Sequence, residues 1–149
     1  MRIGLVGCVA TKLPTTAQAQ DLYNSPLFKG RRRWVEITCD RWFVISAKYG
    51  LVAPTDIVAP YNESLVGTSA AHKYQWARRV VSQLEEQVGE LRGHIFEIHA
   101  GIDYRDYGLV RLIKARGAKV TIPTQRLGIG KLLRVYNDGP LMKGNMYGS

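Results

Sequence analysis

Short apolar runs alternate with longer amphipathic segments along this chain, and that alternation limits the folds it can adopt. Each run is rich in branched or aromatic residues and stops near a glycine, serine or proline, which is typical of a buried parallel strand. The predicted strands are residues 3–7, 42–46, 95–99 and 119–122. Strands that alternate with helices form parallel sheets with helices on both faces. The pattern predicts an α/β fold: a three-layer α/β/α sandwich with a four-stranded parallel sheet.

Helices are predicted in the segments between these strands. They span residues 17–23, 26–37, 70–88, 104–115 and 128–136. Ser25 and Pro26 supply an N-cap and a first helical position, and Ser69 supplies another N-cap. Apolar side chains recur every four residues in the longest helix, and Lys73 lies off that stripe. Residues 1–149 are predicted to form a single domain, with a tail from about residue 137 that frays.

The charge balance is strongly basic, with 21 Lys and Arg against 12 Asp and Glu, or +9. Such an excess favours nucleic acid or a phosphorylated substrate, although the same charge could serve solubility alone. Arg31, Arg32 and Arg33 point three ways around a helix, which suits either phosphate contacts or solvation. The apolar runs are far shorter than the ~18–20 residues of a membrane span, and the N-terminus is unlike a signal peptide. We therefore expect a cytoplasmic protein with no membrane partner.

The cysteines and histidines carry no ligand pattern. Cys8 and Cys39 lack CxxC spacing, and the three histidines show no zinc-ligand spacing. Reduced cysteines, no metal and no cofactor are expected.

Ligands of open parallel sheets bind outside the carboxyl ends of the strands. That rule selects the loops at residues 8–13, 46–61, 99–104 and 123–131. The first and fourth loops hold possible anion-binding residues: Cys8, Thr11 and Lys12, then Arg126, Gly128 and Lys131. The first loop matches neither a Walker nor a GxGxxG motif, and the fourth holds a single GxGK, but hydroxyl, ammonium and amide donors at strand ends suit a phosphate. For the first loop, the alternative is a solvent-facing segment with a packed Cys8.

The second loop is the most distinctive. Ser46 lies at the exit of a strand, and Gly50 permits a tight turn. Lys48 is a candidate partner for a phosphate or an oxyanion, and Tyr49 and Tyr61 are candidates for stacking on a base. The alternative is that both tyrosines fasten the loop to the body of the protein.

The third loop brings four candidate residues to the same edge. His99 is a possible general base or electrophilic donor, and Asp103 a possible base or water-activating carboxylate. Gly101 and Tyr104 accompany them as binding residues. A satisfied structural histidine and a helix-capping Asp103 are the alternatives.

Several motifs stand in a characteristic order: GCVATKL, DLYNSPLF, ISAKYGLV, PYNESL, HAG followed by Tyr104, and RLGIGKLL. Over about residues 3–135 the chain resembles a family of small bacterial and phage proteins known only as a domain of unknown function. The stretch from SAKYGLV to PYN is also similar to the peroxide-stress YaaA family and, more loosely, to archaeosine-synthase proteins. Those groups are associated with nucleic-acid protection or base modification. The resemblance implies a fold similar to that of the uracil-DNA glycosylases.

Glycosylases of that fold carry an acidic or amide residue just after the first strand to position water. This chain has no carboxylate before Asp21, so a water-positioning group would come from Asp21, Glu63 or Asp103. The His-Pro-Ser motif of such enzymes is replaced by residues 123–126, which leaves room for a base other than uracil or for a nucleotide.

The sequence thus predicts a nucleobase- or nucleotide-processing enzyme that cleaves or exchanges an N-glycosidic bond, a glycosidase akin to DNA-modifying glycosylases. The candidate catalytic residues are Asp21, Lys48, His99 and Asp103. The alternatives are a non-catalytic DNA- or RNA-binding protein and a nucleotide-phosphate sensor or transferase. The enzymatic hypothesis requires Lys12, Lys48, His99 and Arg126 to line one pocket at a single edge of the sheet.

Overall fold

A central five-stranded sheet organises the chain in the computed structural model, which describes residues 1–140. In chain order the strands are β1 (Arg2–Gly7), β2 (Ala17–Gln18), β3 (Arg41–Ser46), β4 (Gly50–Val52), β5 (Ile57–Val58), β6 (Ile95–His99) and β7 (Lys119–Thr121). The central sheet has the order β4-β3-β1-β6-β7, and β2 pairs with β5 in a separate antiparallel ribbon. Strands β3, β1, β6 and β7 are parallel. These are the four predicted strands, and that part of the prediction is confirmed.

The fifth strand of the central sheet, β4, corrects the prediction of a purely parallel sheet. It runs antiparallel to β3, with Val44 opposite Val52 and Ser46 opposite Gly50. Gly50 adopts a φ of +72°, in the left-handed region that glycine enters without a steric penalty. The chain therefore reverses immediately after β3, within a segment whose apolar pattern has no clear period.

The helices cover the sheet. They are α1 (Ala19–Leu22), α2 (Pro26–Thr38), α3 (Ala70–Val88), α4 (Ile102–Arg105), α5 (Leu109–Ala115) and α6 (Ile129–Asp138). The predicted caps of α2 and α3 are confirmed, because Ser25 Oγ accepts a hydrogen bond from the Phe28 amide and Ser69 Oγ from the His72 amide, each at 3.1 Å. None of the helices within residues 1–140 is long and apolar enough to cross a membrane.

Two predicted helices differ from the observed ones. Residues 17–23 divide into β2 and α1, and residues 104–115 divide into α4 and α5. The second break lies at Gly108, whose φ is 135° and where a Cβ atom would approach Tyr74 Cδ1 to 2.7 Å. Helix α6 extends past the predicted start of the frayed tail at 137, and residues 141–149 lie outside the described part of the chain.

The direction of the crossovers locates the opening of the sheet. From β1 the chain moves to β3 on one side, and from β3 it returns past β1 to β6 on the other. Right-handed crossovers then put α2 on one face and α3 and α5 on the opposite face. In agreement, α6 packs against α2, whereas α3 packs against α5 and β4. Ligand crevices form where the strand order reverses, so the loops after β1 and β6 flank the expected crevice.

Candidate functional site

A cleft of about 270 Å³ lies at this reversal point, and we call it the switch-point cleft. It is lined by Cys8, Val9, Ala10, Lys12, Asn62, Glu63, Ser64, Val66 and Tyr104. The loop after β1 supplies one wall, the segment that follows Tyr61 supplies another, and α4 contributes Tyr104. The cleft therefore joins the three sequence motifs GCVATKL, PYNESL and HAG with Tyr104.

Tyr104 forms a fixed wall of the switch-point cleft. Its hydroxyl accepts hydrogen bonds from the Cys8 thiol at 3.4 Å and from the Leu65 amide at 3.5 Å. Its ring packs edge-on against Trp76, with the centroids 5.4 Å apart. Burial and the neighbouring Cys8 raise the pKa of Tyr104. The phenol is therefore neutral, and it presents a hydroxyl rather than a charge at the cleft.

Lys12 lies over aromatic rings at the edge of the cleft. Its Nζ is 4.5 Å from the centroid of the Tyr61 ring and 5.8 Å from that of Tyr23, and it donates to the Ala10 carbonyl at 3.3 Å. An ammonium over the faces of aromatic rings is held there by their quadrupoles. Thr11 is exposed, and its carbonyl accepts the Asn24 amide, so it takes part in the local backbone rather than in the cleft.

Beneath Lys12, three hydroxyl groups form a buried chain. Ser46 Oγ donates to the Tyr61 hydroxyl at 2.6 Å, and the Tyr61 and Tyr23 hydroxyls share a hydrogen bond of 2.6 Å. Burial raises the pKa of Tyr23 to about 12 and also raises that of Tyr61. Tyr61 is only 7% exposed, with Lys12 over its ring and Tyr49 packed edge-on against it. This arrangement fits the fastening role better than stacking on a base, because the ring has little open surface.

Lys48 and Tyr49 belong to the β3–β4 turn. The amides of both residues donate to Ser46 Oγ, and their carbonyls accept from the Arg79 guanidinium on α3. Lys48 is exposed and lines neither the switch-point cleft nor the second pocket described next. At Gly50 a Cβ atom would collide with the Gln83 side chain, so this glycine serves the turn.

A second pocket of about 210 Å³ is lined in part by the β6–α4 connection, residues 100–101, and we call it the arginine pocket. Its lining is Arg31, Ala100, Gly101, Ile102, Arg105, Ile122, Thr124, Gln125, Arg126, Leu127 and Leu132. Arg126 adopts a φ of +72°, and it is the only non-glycine residue within residues 1–140 with a positive φ. The predicted anion-binding residues Gly128 and Lys131 are exposed at the start of α6 and are not part of this lining.

His99 lies in a buried polar network rather than at the surface. It is 0% exposed, its Nδ1 is 2.6 Å from the Tyr136 hydroxyl, and its Nε2 is 3.4 Å from Glu97 Oε1 without hydrogen-bond geometry. Burial lowers the pKa of His99, although Glu97 opposes this, so the ring is neutral. This placement matches the structural alternative, since the imidazole reaches neither opening directly.

Glu97 anchors the other end of that network. It accepts from Trp34 Nε1 at 2.9 Å, from Thr38 Oγ1 at 2.7 Å and from Cys39 Sγ at 2.9 Å. Burial alone would raise its pKa, but His99 and these donors outweigh burial and lower the pKa of Glu97 to about 2. Burial and the adjacent Glu97 raise the pKa of the Cys39 thiol to about 12. Cys8 and Cys39 are both free.

Of the three candidate carboxylates, only Glu63 lines the switch-point cleft. The Asp21 side chain is 57% exposed and pairs with Arg32 at 3.2 Å. Asp103 does not cap α4, but pairs with Lys73 Nζ at 2.8 Å. Lys73 is buried rather than off the apolar stripe, and its ammonium also lies 4.1 Å from the Tyr107 ring centroid.

The expectation that Lys12, Lys48, His99 and Arg126 line one pocket is therefore wrong. Lys12 borders the switch-point cleft, Arg126 borders the arginine pocket, Lys48 lines neither, and His99 is sealed. Three of these residues do follow the carboxyl ends of parallel strands. The residues at that edge of the sheet line two separate concavities.

Sequence patterns predict phosphate contacts or solvation for Arg31 but not its burial, and they assign no role to Arg105, Glu97 and Tyr136. Two signals were available. Arg31 stands three residues after Phe28 and four before Val35, which places it on the apolar face of α2. Glu97 interrupts an apolar run that was assigned to a buried strand, and a buried carboxylate requires partners.

A larger concavity, of about 1000 Å³, is a groove beside α5 and β7 rather than a cleft at the reversal point. It shares Arg105, Ile122 and Gln125 with the arginine pocket. Within residues 1–140 there is no group of three or more His, Cys, Asp or Glu residues that could hold a metal ion.

Comparison with known proteins places the chain in a family without indicating an activity. Residues 3–138 match DUF6884, a family of unknown function. No curated protein and no solved structure matches the sequence. The likeness to the YaaA family and to uracil-DNA glycosylases stays a prediction. Because the match spans most of the chain, the protein belongs to the DUF6884 family of unknown function.

Proposed function

We propose that this protein processes a nucleobase or nucleotide in the switch-point cleft, by cleaving or exchanging an N-glycosidic bond. The observation that carries the proposal is that Glu63 and Lys12 line one small cleft where the strand order reverses. A carboxylate and an ammonium are the two charges that this chemistry needs, since the sugar becomes positive as the departing base becomes negative.

Each residue has a role in this proposal. The bond between the anomeric carbon and the base nitrogen breaks, and its electron pair leaves with the base. A water oxygen bonds to the anomeric carbon while Glu63 takes a proton from that water. Lys12 stabilises the leaving base and donates a proton to it. The neutral Tyr104 hydroxyl forms the wall against which the substrate is oriented.

The sequence-based form of this hypothesis fails, because it requires Lys12, Lys48, His99 and Arg126 to line one pocket. The form proposed here depends instead on Lys12 and Glu63. His99 and Lys48 have no part in it, because one is sealed and the other lies outside the cleft. Asp21 and Asp103 also lie outside the cleft, so Glu63 takes their role as the carboxylate that activates water. A relationship to uracil-DNA glycosylases and to the YaaA family is part of the proposal, and the four parallel strands between helices are compatible with it.

The second candidate is DNA or RNA binding without chemistry, and the net charge of +9 favours it. Neutralisation of several phosphates makes binding fall steeply with salt. The salt dependence of affinity for single- and double-stranded DNA and RNA measures this contribution directly.

The test is release of free base from nucleosides, nucleotides, DNA and RNA, followed by chromatography. Glu63→Gln should reduce release by about 100-fold, which is typical of the loss of a general base. Glu86→Gln, on the exposed face of α3, makes the same charge change and should leave the rate unchanged. Full activity of Glu63→Gln would remove the assigned base. Salt-dependent binding with no base release from any substrate would favour the second candidate.

A further inference from the structure

Arg31 is a buried cation with no counter-ion in the described chain. Its residue surface is 6% exposed, and its Nε atom has no hydrogen-bond partner. No carboxylate within residues 1–140 forms an ion pair with it. Burying a charge without a partner destabilises a fold by several kcal/mol, as an order of magnitude. Such groups therefore normally form ion pairs or lose their charge. Burial lowers the pKa of Arg31, in keeping with that cost.

The fold holds Arg31 in this position. The Tyr136 hydroxyl interacts with the Arg31 guanidinium and lies 2.6 Å from His99 Nδ1 and 2.9 Å from Thr124 Oγ1. His99 in turn lies beside the anchored carboxylate of Glu97. A chain of buried polar groups that fixes one ligand-facing side chain is the usual support of a binding site.

Two further guanidinium groups line the same pocket. Arg105 is held by the Ala100 carbonyl at 3.2 Å and by Asp106 Oδ1 at 3.3 Å. Arg126 is exposed at the opening. The local charge is about +2, because the three guanidinium groups are positive and the Asp106 carboxylate that pairs with Arg105 is negative.

We propose that the arginine pocket binds the phosphate dianion of a phosphomonoester, with Arg31 as its buried anchor. Guanidinium groups match phosphate oxygens in geometry and form short, charge-assisted hydrogen bonds with them. The pocket volume of about 210 Å³ is small, and it adjoins the larger groove through Arg105, Ile122 and Gln125. That groove has room for the organic part of the molecule. The site does not depend on catalysis in the switch-point cleft.

The test is calorimetric titration of the full chain, in buffer free of phosphate and sulfate, with inorganic phosphate, adenosine 5′-monophosphate and adenosine. Phosphate and the monophosphate should bind with one site, and adenosine should bind far more weakly. A short oligonucleotide with and without a 5′-phosphate distinguishes a free nucleotide from a polymer end. Binding of both oligonucleotides equally, or of adenosine as tightly as its monophosphate, would overturn the proposal.

Matched variants locate the site. Arg31→Gln should weaken phosphate binding about tenfold or more, whereas Arg33→Gln, an exposed neighbour on α2 with the same charge change, should bind nearly as the wild type does. Arg126→Asn keeps a residue that tolerates positive φ and removes the guanidinium, so it tests the pocket even if Arg31→Gln does not fold. Equal affinities for all four proteins, or equal losses in Arg33→Gln and Arg31→Gln, would show general charge attraction instead. Glu63→Gln should bind phosphate normally, which separates this proposal from the glycosidic one.

Discussion

The hydroxyl oxygen of Tyr136 lies 2.6 Å from Nδ1 of His99 and so joins helix α6 to the end of the central strand β6. Both groups are buried, and the indole of Trp34 from α2 packs edge-on against the Tyr136 ring. A strand, two helices and the β7–α6 loop thus meet at one hydroxyl. The same hydroxyl supports Arg31, so this contact connects the stability of α6 to the arginine pocket.

Tyr136→Phe should lower the free energy of unfolding by about 1–3 kcal/mol, because it removes a partner from buried His99 and Thr124. Urea denaturation measures the change. Tyr107→Phe is the control, since Tyr107 is 40% exposed and its cation contact uses the ring rather than the hydroxyl. Equal stability of Tyr136→Phe and the wild type would contradict the network described here.

The free energy of unfolding should decrease in two steps as the pH is lowered. Burial lowers the pKa of His99 below 6.5 in the folded protein. Below about pH 6.5 the unfolded chain therefore binds a proton at this residue more readily than the folded protein does, which favours unfolding. The pKa of Glu97 is lowered from 4.5 to about 2, so its contribution is present above 4.5 and is lost as the pH falls toward 2. Each proton adds a slope of up to about 1.4 kcal/mol per pH unit.

Urea denaturation at a series of pH values checks this sign. In His99→Gln the upper step should disappear, whatever the absolute stability of the variant. In His72→Gln, where the ring is exposed, both steps should remain. A wild-type protein that gains stability between about pH 6.5 and pH 5 would show that His99 is protonated in the fold.

Gly50→Ala should destabilise the protein more than Gly67→Ala. Both glycines have positive φ, +72° and +81°, so each alanine costs about 1–2 kcal/mol in backbone strain. Only at Gly50 does the new Cβ atom also meet a side chain, that of Gln83, whereas nothing lies within 4 Å at Gly67. The difference between the two variants in thermal or urea unfolding should be about 1–3 kcal/mol. Equal effects would mean that the β3–β4 turn adjusts freely.

Asp103→Asn should act on stability rather than on chemistry. It leaves the buried Lys73 ammonium without its partner, and because Asp103 is itself a quarter exposed, we expect a loss of about 1–3 kcal/mol. Asp106→Asn breaks a pair in which the carboxylate is 41% exposed, and it should change stability by less than about 1 kcal/mol. Unchanged stability with loss of base release in Asp103→Asn would instead support the catalytic role that the sequence predicts.

The sequence predicts local structure well where residues close together in the chain determine that structure. Ser25 and Ser69 cap helices because a hydroxyl reaches an amide three residues ahead. Strand β6 begins and ends where its apolar run does. By contrast, the β3–β4 hairpin was not predicted, because its pairing depends on Gln83 of α3 as much as on the turn itself.

The candidate site shows the same division. The strand-end rule selects the carboxyl edge of the sheet, and Cys8, Lys12, Tyr104 and Arg126 line concavities there. Their roles as binding residues stay predictions. Whether His99 faces a ligand or the interior was open, because both outcomes fit a histidine at the end of a strand. Residues of α2 and α6, which lie far apart in sequence, close over it.

The sequence by itself determined the strands, the capped helices and the basic charge, since these follow from periodicity, caps and composition over short stretches of chain. Only the tertiary structure decided which polar groups are exposed to a ligand. That outcome depends on which distant elements pack over each side chain: α6 covers His99 and reaches Arg31, while the segment after Tyr61 brings Glu63 to Lys12.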